Sequence, residues 1–309
     1  MASPSDLTGK RVLVTGASGF TGTYMVAELK AQGCYVIATG ARAPEASGAS
    51  AADEFRLLDL RDAEGVRRVI EEARADQVVH LAAMAYVAHG NVEDFYNVNL
   101  LGTRALLHAL SESPHMPECV LLASSANVYG NSTEGVIDES VTPAPANDYA
   151  VSKLAMEYVA DLWRGRLPLV VTRPFNYTGV GQALNFLIPK IVSHFRQGRT
   201  VIELGNIDVW RDFGDVRSVV ECYRRLLQCP EARGQKVNVC SGTAHSLRDI
   251  VTMCSELTGQ NIEIQVNPAF VRANEVIVLK GSNALLQSLI GSIEQPPLRS
   301  TLEWMLRAG

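Results

Sequence analysis

Residues 11–33 read RVLVTGASGFTGTYMVAELKAQG, and this stretch decides the fold. The β-branched run RVLVT is followed by the turn GASGFTG and then by a helical pattern that ends at Gly33. Glycines at 16, 19 and 22 permit a tight turn and let the backbone approach a pyrophosphate, whose charge a helix N-terminus favours. The stretch therefore predicts the strand, turn and helix of a dinucleotide-binding unit, the alternative being an ordinary glycine-rich turn.

The end of the second predicted strand, residues 35–39, indicates which dinucleotide fits. A carboxylate there binds the adenosine ribose hydroxyls of NAD, whereas a cation pairs with the 2′-phosphate of NADP. The sequence continues Gly40-Ala41-Arg42, with an arginine and no carboxylate. This pattern favours NADP(H) over NAD, unless Arg42 is only a loop arginine.

Strand-like and helix-like segments alternate through the first half of the chain. Further strands are predicted at 55–60, 78–81, 119–124 and 169–172, with helical patterns between them. Such alternation predicts an α/β fold with a parallel, doubly wound sheet, in which ligands bind beyond the C-terminal ends of the strands. The residues expected at that edge are the glycines, Arg42, Asp59, Ala82, Ala83, Ser124 and Ser125.

After Pro174 the pattern changes to shorter and more polar segments. Helices are predicted at 186–196, 215–227 and 245–257, strands at 201–205, 236–240 and 262–266, and a polar loop at 209–216. The strand at 236–240 is expected to return to the main sheet. The sequence therefore predicts a dinucleotide-binding domain of residues 1–175 plus about 213–243, and a smaller C-terminal α/β substrate-binding domain of about 176–212 plus 244–309.

A second stretch, residues 124–153, carries the chemistry: SSANVYGNSTEGVIDESVTPAPANDYAVSK. Tyr149 and Lys153 are four residues apart, which places them on one face of a helix. An ammonium beside a phenol lowers the pKa of the tyrosine and suits it to proton transfer at an oxygen. A serine of the pair Ser124 and Ser125 could hold a carbonyl oxygen at the same point. The alternative is a surface helix on which the tyrosine packs against the lysine stem.

Several segments, in this order and at this spacing, resemble the extended short-chain dehydrogenase/reductase family: TGASGFTG, LDLRD, HLAA, YNVNLLGT, SSANVYG, YAVSK and RPFNYTG. The resemblance covers nearly the whole chain and implies a Rossmann fold. It implies Ser125, Tyr149 and Lys153 as the catalytic triad, with Asn99 positioning the lysine through water. The cofactor-binding residues that it implies, with the triad's Tyr149 and Lys153, are Gly16, Ser18, Gly19, Phe20, Thr21, Gly22, Arg42, Asp59, Leu60, Leu81, Ala82, Ala83, Asn99 and Phe175.

Within that family, the C-terminal half is most similar to enzymes that act on GDP-sugars. LGNIDVWRDFGDV resembles a segment shared by GDP-mannose 4,6-dehydratases and GDP-4-keto-6-deoxy-D-mannose reductases, and VRANEVIVLKGS resembles their R-P-x-E/D segment, with Ala273 where proline is usual. An acidic protein needs local cations to bind a diphosphate. The substrate-binding residues that the resemblance implies are Ser125, Asn127, Asn176, Lys190, Arg211, Arg272 and Glu275.

Position 127 separates two reactions of these enzymes. In the GDP-mannose dehydratases, a glutamate two residues after the catalytic hydroxyl removes a proton during the elimination of water. This chain has Asn127, and an amide cannot accept a proton at neutral pH. The sequence therefore favours NADPH-dependent reduction of the C4 ketone of GDP-4-keto-6-deoxy-D-mannose to GDP-D-rhamnose. The open alternatives are GDP-mannose dehydration, another nucleotide-sugar 4-epimerase or reductase, and a non-catalytic NADP-binding regulator.

Composition narrows the class of protein further. The 309 residues are 47% hydrophobic with a net charge of −5, which argues against nucleic acid or an anionic membrane as a partner. No apolar run reaches the ~18 residues of a membrane span. The six cysteines and six histidines lack metal-ligand spacing, so we expect no metal site, and cysteines that are buried and reduced in a cytoplasmic protein. The family resemblance implies a homodimer built on the helices predicted at 98–110 and 149–163.

Overall fold

The computed structural model describes residues 6–43, 51–85, 91–131, 135–270 and 276–308. In chain order its strands are β1 (Arg11–Thr15), β2 (Tyr35–Gly40), β3 (Glu54–Leu57), β4 (Gln77–His80), β5 (Cys119–Ala123), β6 (Gly135–Ile137), β7 (Leu169–Pro174), β8 (Asn176–Thr178), β9 (Val201–Leu204), β10 (Trp210–Asp215), β11 (Lys236–Val239), β12 (Ala244–Ser246), β13 (Glu263–Val266) and β14 (Val278–Gly281). Its α-helices are α1 (Phe20–Ala31), α2 (Ala63–Ala73), α3 (Thr103–Glu112), α4 (Asp148–Asp161), α5 (Leu187–Arg196), α6 (Val216–Leu227), α7 (Leu247–Thr258), α8 (Ala284–Ile290) and α9 (Leu298–Arg307).

A seven-stranded parallel sheet runs in the order β3-β2-β1-β4-β5-β7-β11. The two halves of the sheet are wound outward from β1 and β4, and a ligand crevice opens beyond the strand ends at that point. Strand β11 pairs with β7, with Lys236 opposite Val171, so the chain re-enters this sheet after leaving it. The predicted doubly wound parallel sheet, including its returning strand, is confirmed.

Helices bury the apolar side chains on both faces of this sheet. On one face, Met25 of α1 and Tyr223 of α6 belong to a single apolar cluster with β1 and β2. On the other face, Ile70 of α2, Leu106 of α3 and Met156 of α4 pack together. Each such side chain contributes roughly 1.5–3 kcal/mol when fully buried, which is why the strands between these layers are almost continuously apolar.

The chain after β7 builds a second, smaller set of elements. Strands β12, β10, β14 and β6 lie side by side in that order, β8 also pairs with β10, and β9 and β13 form a separate parallel pair. A third apolar cluster joins α5, α7 and α9 through Ile191, Ile250 and Leu302. The C-terminal stretches therefore have an apolar core of their own, while the predicted domain boundaries stay a prediction.

The segment at 209–216, predicted as a polar loop, contains strand β10 instead. This strand pairs with β8, β12 and β14. The carboxylate of Asp212 is buried and accepts hydrogen bonds from the backbone N–H groups of Ser241 and Gly242, both at 2.9 Å. A buried carboxylate is tolerated when donors satisfy it, and these donors come from a distant part of the chain. Local polarity was therefore a misleading guide to the structure of this segment.

The helix predicted at 98–110 also differs in detail. It begins as a π-helical turn, Phe95–Gly102, and continues as α3. Gly102 lies against Leu60, since a Cβ atom on it would come 2.7 Å from the Cβ atom of Leu60. A π-helical turn adds a residue to one turn of helix and frequently marks a functional site.

The cysteines are buried, as composition led us to expect. All six cysteines are buried and none forms a disulfide. Within the described ranges, no helix combines the length and the apolar character that crossing a bilayer requires.

Candidate active site

The glycine-rich turn between β1 and α1 lies against the loop that follows β4. Gly16 has a φ of +70°, and a Cβ atom on it would come 2.7 Å from the Cα atom of Ala82. A Cβ atom on Gly22 would overlap the carbonyl oxygen of Gly16. Both positions therefore require glycine, and together they bring the two loops into contact at the C-terminal edge of the sheet.

The N-terminus of α1 has the properties of a phosphate site. The helix begins at Phe20 after Gly19, and within residues 6–43 no side chain caps this end and no acidic residue lies in its first turn. The first backbone N–H groups of a helix lack partners within the helix, and the helix dipole favours an anion there. Ser18 Oγ lies close to Gly40 at the end of β2, 2.8 Å from where a Cβ atom would be. These residues fit the pyrophosphate of a dinucleotide.

Two charged residues stand beyond the ends of β2 and β3. The side chain of Arg42 is exposed. The carboxylate of Asp59 accepts hydrogen bonds from Nε and Nη2 of Arg61, at 3.0 and 2.6 Å, and these bonds hold the pKa of Asp59 below its ordinary value. Leu60 is buried. Arg61, which the sequence pattern did not single out, therefore stands with Asp59 where the adenine is predicted to bind.

Asn99, in the π-helical turn, links the loop after β4 to helix α4. Its amide nitrogen donates to the carbonyl of Met84 and to Ser152 Oγ, both at 3.0 Å, and its oxygen accepts from the N–H of Met84 at 2.8 Å. Asn99 therefore positions α4 through the residue next to Lys153, and the water-mediated link to the lysine stays a prediction. The predicted contact residues of this loop are partly buried: Leu81, Ala82 and Ala83.

Ser125 and Tyr149 meet beyond the end of β5. Ser125 begins the 3₁₀ turn Ala126–Tyr129, and its Oγ accepts a hydrogen bond from the N–H of Asn127 at 3.2 Å. Tyr149 is partly buried in the first turn of α4. Burial raises the pKa of Tyr149 to about 12, and a hydrogen bond with Ser125 acts in the opposite direction.

The expectation that Lys153 lowers the pKa of Tyr149 is therefore wrong for the protein by itself. The ammonium of Lys153 is directed to the end of β5 instead. Lys153 Nζ is buried and donates to the carbonyl of Ala123 at 2.7 Å. Burial lowers the pKa of this lysine to about 8, while the charge of Glu157 opposes that effect. The phenol of Tyr149 stays protonated at neutral pH, as a proton donor must be. Tyr149 and Lys153 nevertheless both reach the end of β5. Tyr149 contacts Ser125 there, and Lys153 contacts Ala123.

The residues predicted to border the nicotinamide and the substrate follow β7. The ring of Phe175 is buried, 6.4 Å from the ring of Tyr129. The amide nitrogen of Asn176 donates to the carbonyl of Asp212 at 3.3 Å, which ties β8 to β10. The roles predicted for Phe175 and Asn176 at a ligand stay predictions.

Tyr177 is a site residue that the sequence pattern did not single out. Its ring stacks on Phe20 with centroids 6.1 Å apart, and its hydroxyl lies 2.7 Å from Thr21 Oγ1. Tyr177 also adds to the raised pKa of Tyr149, after burial. It therefore lies against the start of α1 and close enough to Tyr149 to affect its pKa. The available signal was an aromatic residue in the segment RPFNYTG.

The basic residues predicted for a diphosphate lie on separate elements. Lys190 of α5 donates to the carbonyl of Glu203 at 2.8 Å, and Arg211 of β10 donates to the carbonyl of Trp210 at 2.9 Å. Arg272 and Glu275 fall outside the described residues. Asn127, in the 3₁₀ turn that Ser125 begins, has an exposed side chain. The shared role of these residues at a nucleotide sugar stays a prediction.

Comparison with known proteins places this geometry in context. The model of the NAD dependent epimerase/dehydratase family matches residues 12–240. A GDP-6-deoxy-D-talose 4-dehydrogenase from Aggregatibacter actinomycetemcomitans is 34% identical over 91% of this chain and 92% of its own length. A GDP-6-deoxy-D-mannose reductase from Pseudomonas aeruginosa is also 34% identical, over 96% of each chain.

Solved structures show the same architecture. One from Burkholderia cenocepacia J2315 is 49% identical over 98% of both chains, with a TM-score of 0.93. The structure of RMD from Pseudomonas aeruginosa complexed with NADPH is 32% identical over 96% of both chains, with a TM-score of 0.79. MoeE5 in complex with UDP-glucuronic acid and NAD is 28% identical over 96% of this chain and 97% of its own, with a TM-score of 0.84.

Proposed function

The chain belongs to the NAD dependent epimerase/dehydratase family, and from this premise we propose that it reduces the C4 ketone of a GDP-4-keto-6-deoxyhexose with NADPH. The observation that carries the proposal is the convergence of Ser125, Tyr149 and Lys153 on the end of β5, beside the glycine-rich turn. A protonated phenol at that point suits the delivery of a proton to a carbonyl oxygen.

The names of the two relatives support the choice of substrate. One is a 4-dehydrogenase of GDP-6-deoxy-D-talose and the other a GDP-6-deoxy-D-mannose reductase. Talose and mannose differ in configuration only at C4, so oxidation of either 6-deoxy sugar at C4 gives the same ketone. A GDP-4-keto-6-deoxyhexose is therefore the compound that connects both reactions, and we propose it as the ligand of this site.

The roles of the catalytic residues follow from their positions. NADPH, when bound, supplies the hydride that goes to C4. Ser125 donates a hydrogen bond to the ketone oxygen and orients it, and Tyr149 gives its proton to that oxygen as the carbon–oxygen double bond becomes a single bond. Lys153 holds the hydroxyls of the nicotinamide ribose, and its positive charge stabilises the phenolate that remains on Tyr149.

The preference for NADPH rests on the end of β2. Arg42 is exposed there, and the sequence Thr39-Gly40-Ala41-Arg42 offers a 2′-phosphate a cation and no competing carboxylate. The solved relatives include complexes with NADPH and with NAD, so the chemistry of this strand end, rather than family membership, supports the choice.

Asn127 supports reduction over dehydration. Its amide lies two residues after Ser125, at the position where a dehydratase of GDP-mannose would need a carboxylate as a base. A 4-epimerase that retains NAD is disfavoured by the absence of a carboxylate at 39–42, and a non-catalytic regulator would not need both Tyr149 and Lys153. Reduction is therefore the activity that all these positions favour together.

We propose that residues 1–175 plus about 213–243 form the nucleotide-binding domain, because every strand of the seven-stranded sheet lies within them. The remaining segments, about 176–212 and 244–309, would bind the GDP-sugar, and the active form would be a homodimer.

The deciding experiment uses two incubations followed by NMR of the products. With NADPH and GDP-4-keto-6-deoxy-D-mannose, we expect loss of absorbance at 340 nm and formation of GDP-D-rhamnose. With NADP and GDP-mannose, we expect no elimination product. GDP-6-deoxy-D-talose as the product would keep the reduction but reverse the face of the ketone that is attacked, as the similarity to the talose enzyme suggests. Dehydration of GDP-mannose, or no turnover of the ketosugar, would contradict the proposal.

A further inference from the structure

A buried ion pair lies directly behind the catalytic residues. The side chains of Glu157 on α4 and Arg173 on β7 are 0% and 5% exposed. Arg173 donates through Nε and Nη2 to the two carboxylate oxygens of Glu157, at 2.9 and 2.6 Å. Its Nη1 donates to the hydroxyl of Tyr129, which donates in turn to Asn238 Oδ1. The arginine is therefore fixed from several elements, and it fixes the carboxylate.

The same carboxylate reaches the end of β5. Ser124, the residue before Ser125, donates from Oγ to Glu157 Oε1 at 2.6 Å. One turn earlier on α4, Lys153 donates to the carbonyl of Ala123 at 2.7 Å. Helix α4 therefore holds two successive residues of the chain, 123 and 124, immediately before the catalytic serine.

Stability alone is a poor explanation for this pair. Removing two charges from water carries a large penalty, and apolar residues of similar volume often serve a protein equally well. The location of the pair is more informative. Glu157 lies four residues after Lys153, on the same helix face, and its charge opposes the effect of burial on the pKa of that lysine.

We propose that Glu157, held by Arg173, is a positioning residue for the reaction: it keeps Lys153 charged inside the protein and holds the end of β5 so that Ser125 faces Tyr149. The proposal rests on the proposed function for the roles of the triad, and it adds a side chain that acts through them.

The other groups around Lys153 do not replace this charge. His80 of β4 is buried, and burial followed by the charge of Lys153 lowers its pKa to about 3, so it is neutral. Tyr149 on the same helix is a neutral phenol at pH 7. Arg173 of β7 is a cation, and so is Lys236 of β11, whose Nζ lies 3.7 Å from Glu157. Among these groups Glu157 is the anion, so its removal should lower the pKa of Lys153 further.

The test is the pH profile of kcat for the variant Glu157→Gln between pH 6 and 9.5. Since the pKa of Lys153 is about 8, the ammonium of the wild-type protein is lost as the pH rises through about 8, and its rate should fall there. In the variant we expect this alkaline limb to move down by about one pH unit, with kcat at pH 8 about fivefold lower and KM for the sugar changed less than about threefold. If Glu157→Gln lowers the melting temperature but leaves the alkaline limb at its wild-type pH, Glu157 has only a structural role. That result would overturn the proposal.

Asp161→Asn is the matched control. Asp161 lies one turn beyond Glu157 on α4 and also binds Lys236, at 2.9 Å, but it is partly exposed. Asp161→Asn removes one carboxylate from the same helix and from the surroundings of Lys236. We expect the alkaline limb of this variant to stay at its wild-type pH. An equal shift in both variants would mean that any charge on α4 acts on Lys153, which would contradict a specific role for Glu157.

A double variant guards against misfolding. Glu157→Gln leaves Arg173 buried and unpaired, which destabilises the fold. Combining it with Arg173→Met removes both charges at similar volume, so the protein should fold and still show the lowered alkaline limb. A wild-type limb in the folded double variant would overturn the proposal.

The pH dependence of NADPH binding provides a measurement that does not require the sugar substrate. The affinity, followed by the fluorescence of NADPH, should fall about tenfold as Lys153 loses its charge, near pH 8 for the wild type and lower for Glu157→Gln. A wild-type protein that binds NADPH with this pH dependence but does not reduce the ketosugar would contradict the proposed substrate while leaving the role of Glu157 intact. Equal pH dependence in wild type and variant would contradict the role of Glu157 instead.

Discussion

At the scale of single residues, Tyr149 carries the proposed proton transfer. Its raised pKa of about 12 keeps it protonated in the reducing direction. We expect Tyr149→Phe to lower kcat about 10²–10⁴-fold, because the ketone oxygen loses its proton donor. Binding of NADPH should change less than about threefold, since the ring and its neighbours remain.

The control for this variant lies on the same helix. Tyr158 is 60% exposed, so Tyr158→Phe should leave both kcat and NADPH binding as in the wild type. Steady-state kinetics and fluorescence titration of the three proteins give the comparison. Full turnover in Tyr149→Phe would remove the tyrosine from the mechanism.

Arg42 is the residue on which the proposed preference for NADPH depends. We expect Arg42→Ala to weaken binding of NADPH about tenfold or more and to leave binding of NADH nearly unchanged, because only NADPH carries the 2′-phosphate. Arg68→Ala, on the exposed face of α2, removes the same charge away from the site and should change neither. Equal losses for both cofactors in Arg42→Ala would show that the arginine does not read the phosphate.

The sequence predicted the placement of Tyr149 and Lys153 better than their electrostatics. The spacing of Tyr149 and Lys153 was enough to place both on one face of a helix, because helix geometry is local. Their pKa values depend on burial and on Ala123, Ser125 and Glu157, which a spacing does not report. Tyr177 escaped notice for the same reason, since its partner Thr21 lies 156 residues away in the chain.

At the scale of elements, the glycine-rich turn joins β1, α1 and the loop after β4. We expect Gly16→Ala to destabilise the protein by about 1–3 kcal/mol, because alanine disfavours a φ of +70° and its Cβ atom would meet Ala82. The displaced turn should also bind NADPH more weakly. Urea unfolding and NADPH titration measure the two effects.

Gly165→Ala is the control for this turn. Among the residues that the structure describes, no atom beyond its chain neighbours lies within 4 Å of a Cβ atom built on Gly165. Its φ is not positive, so stability and NADPH binding should stay close to the wild type. Wild-type stability and affinity in Gly16→Ala would mean that the turn adjusts and that glycine is not required there.

The elements of the main sheet were predictable because most of its strands are apolar runs of their own. β10 was not predictable, since Arg211 and Asp212 make the segment look polar until Ser241 and Gly242 are known to satisfy the buried carboxylate. The short strands β6 and β14 pair with each other across more than 140 residues, and neither has a pattern long enough to stand out. The second sheet was therefore not predicted, because its strands pair across long distances in the chain.

At the scale of the whole molecule, helix α4 and the π-helical turn beside it present apolar side chains to solvent. Val151, Tyr158 and Leu162 repeat at seven and four residues, which places them along one face, and Leu101 is exposed on the neighbouring turn. We propose that this surface contacts another chain, because clustered exposed apolar side chains are typical of such contacts. The same helices are those that the family resemblance assigns to a dimer interface, so two copies meeting here would cover the surface.

Substitution of Leu162 tests whether this surface is the dimer interface. Leu162 is 75% exposed, and we expect Leu162→Glu to convert a wild-type dimer into a monomer, because each copy would bury a carboxylate in the interface. Leu57→Glu is the matched control, since Leu57 is 64% exposed on the edge strand β3, and it should leave the dimer intact. Sedimentation velocity gives the molecular mass of each protein. A wild-type monomer, or a Leu162→Glu variant that still dimerises, would place the interface elsewhere. Since Tyr149 and Lys153 lie on the same helix, a monomeric variant with lowered kcat would further show that the partner chain steadies the catalytic residues.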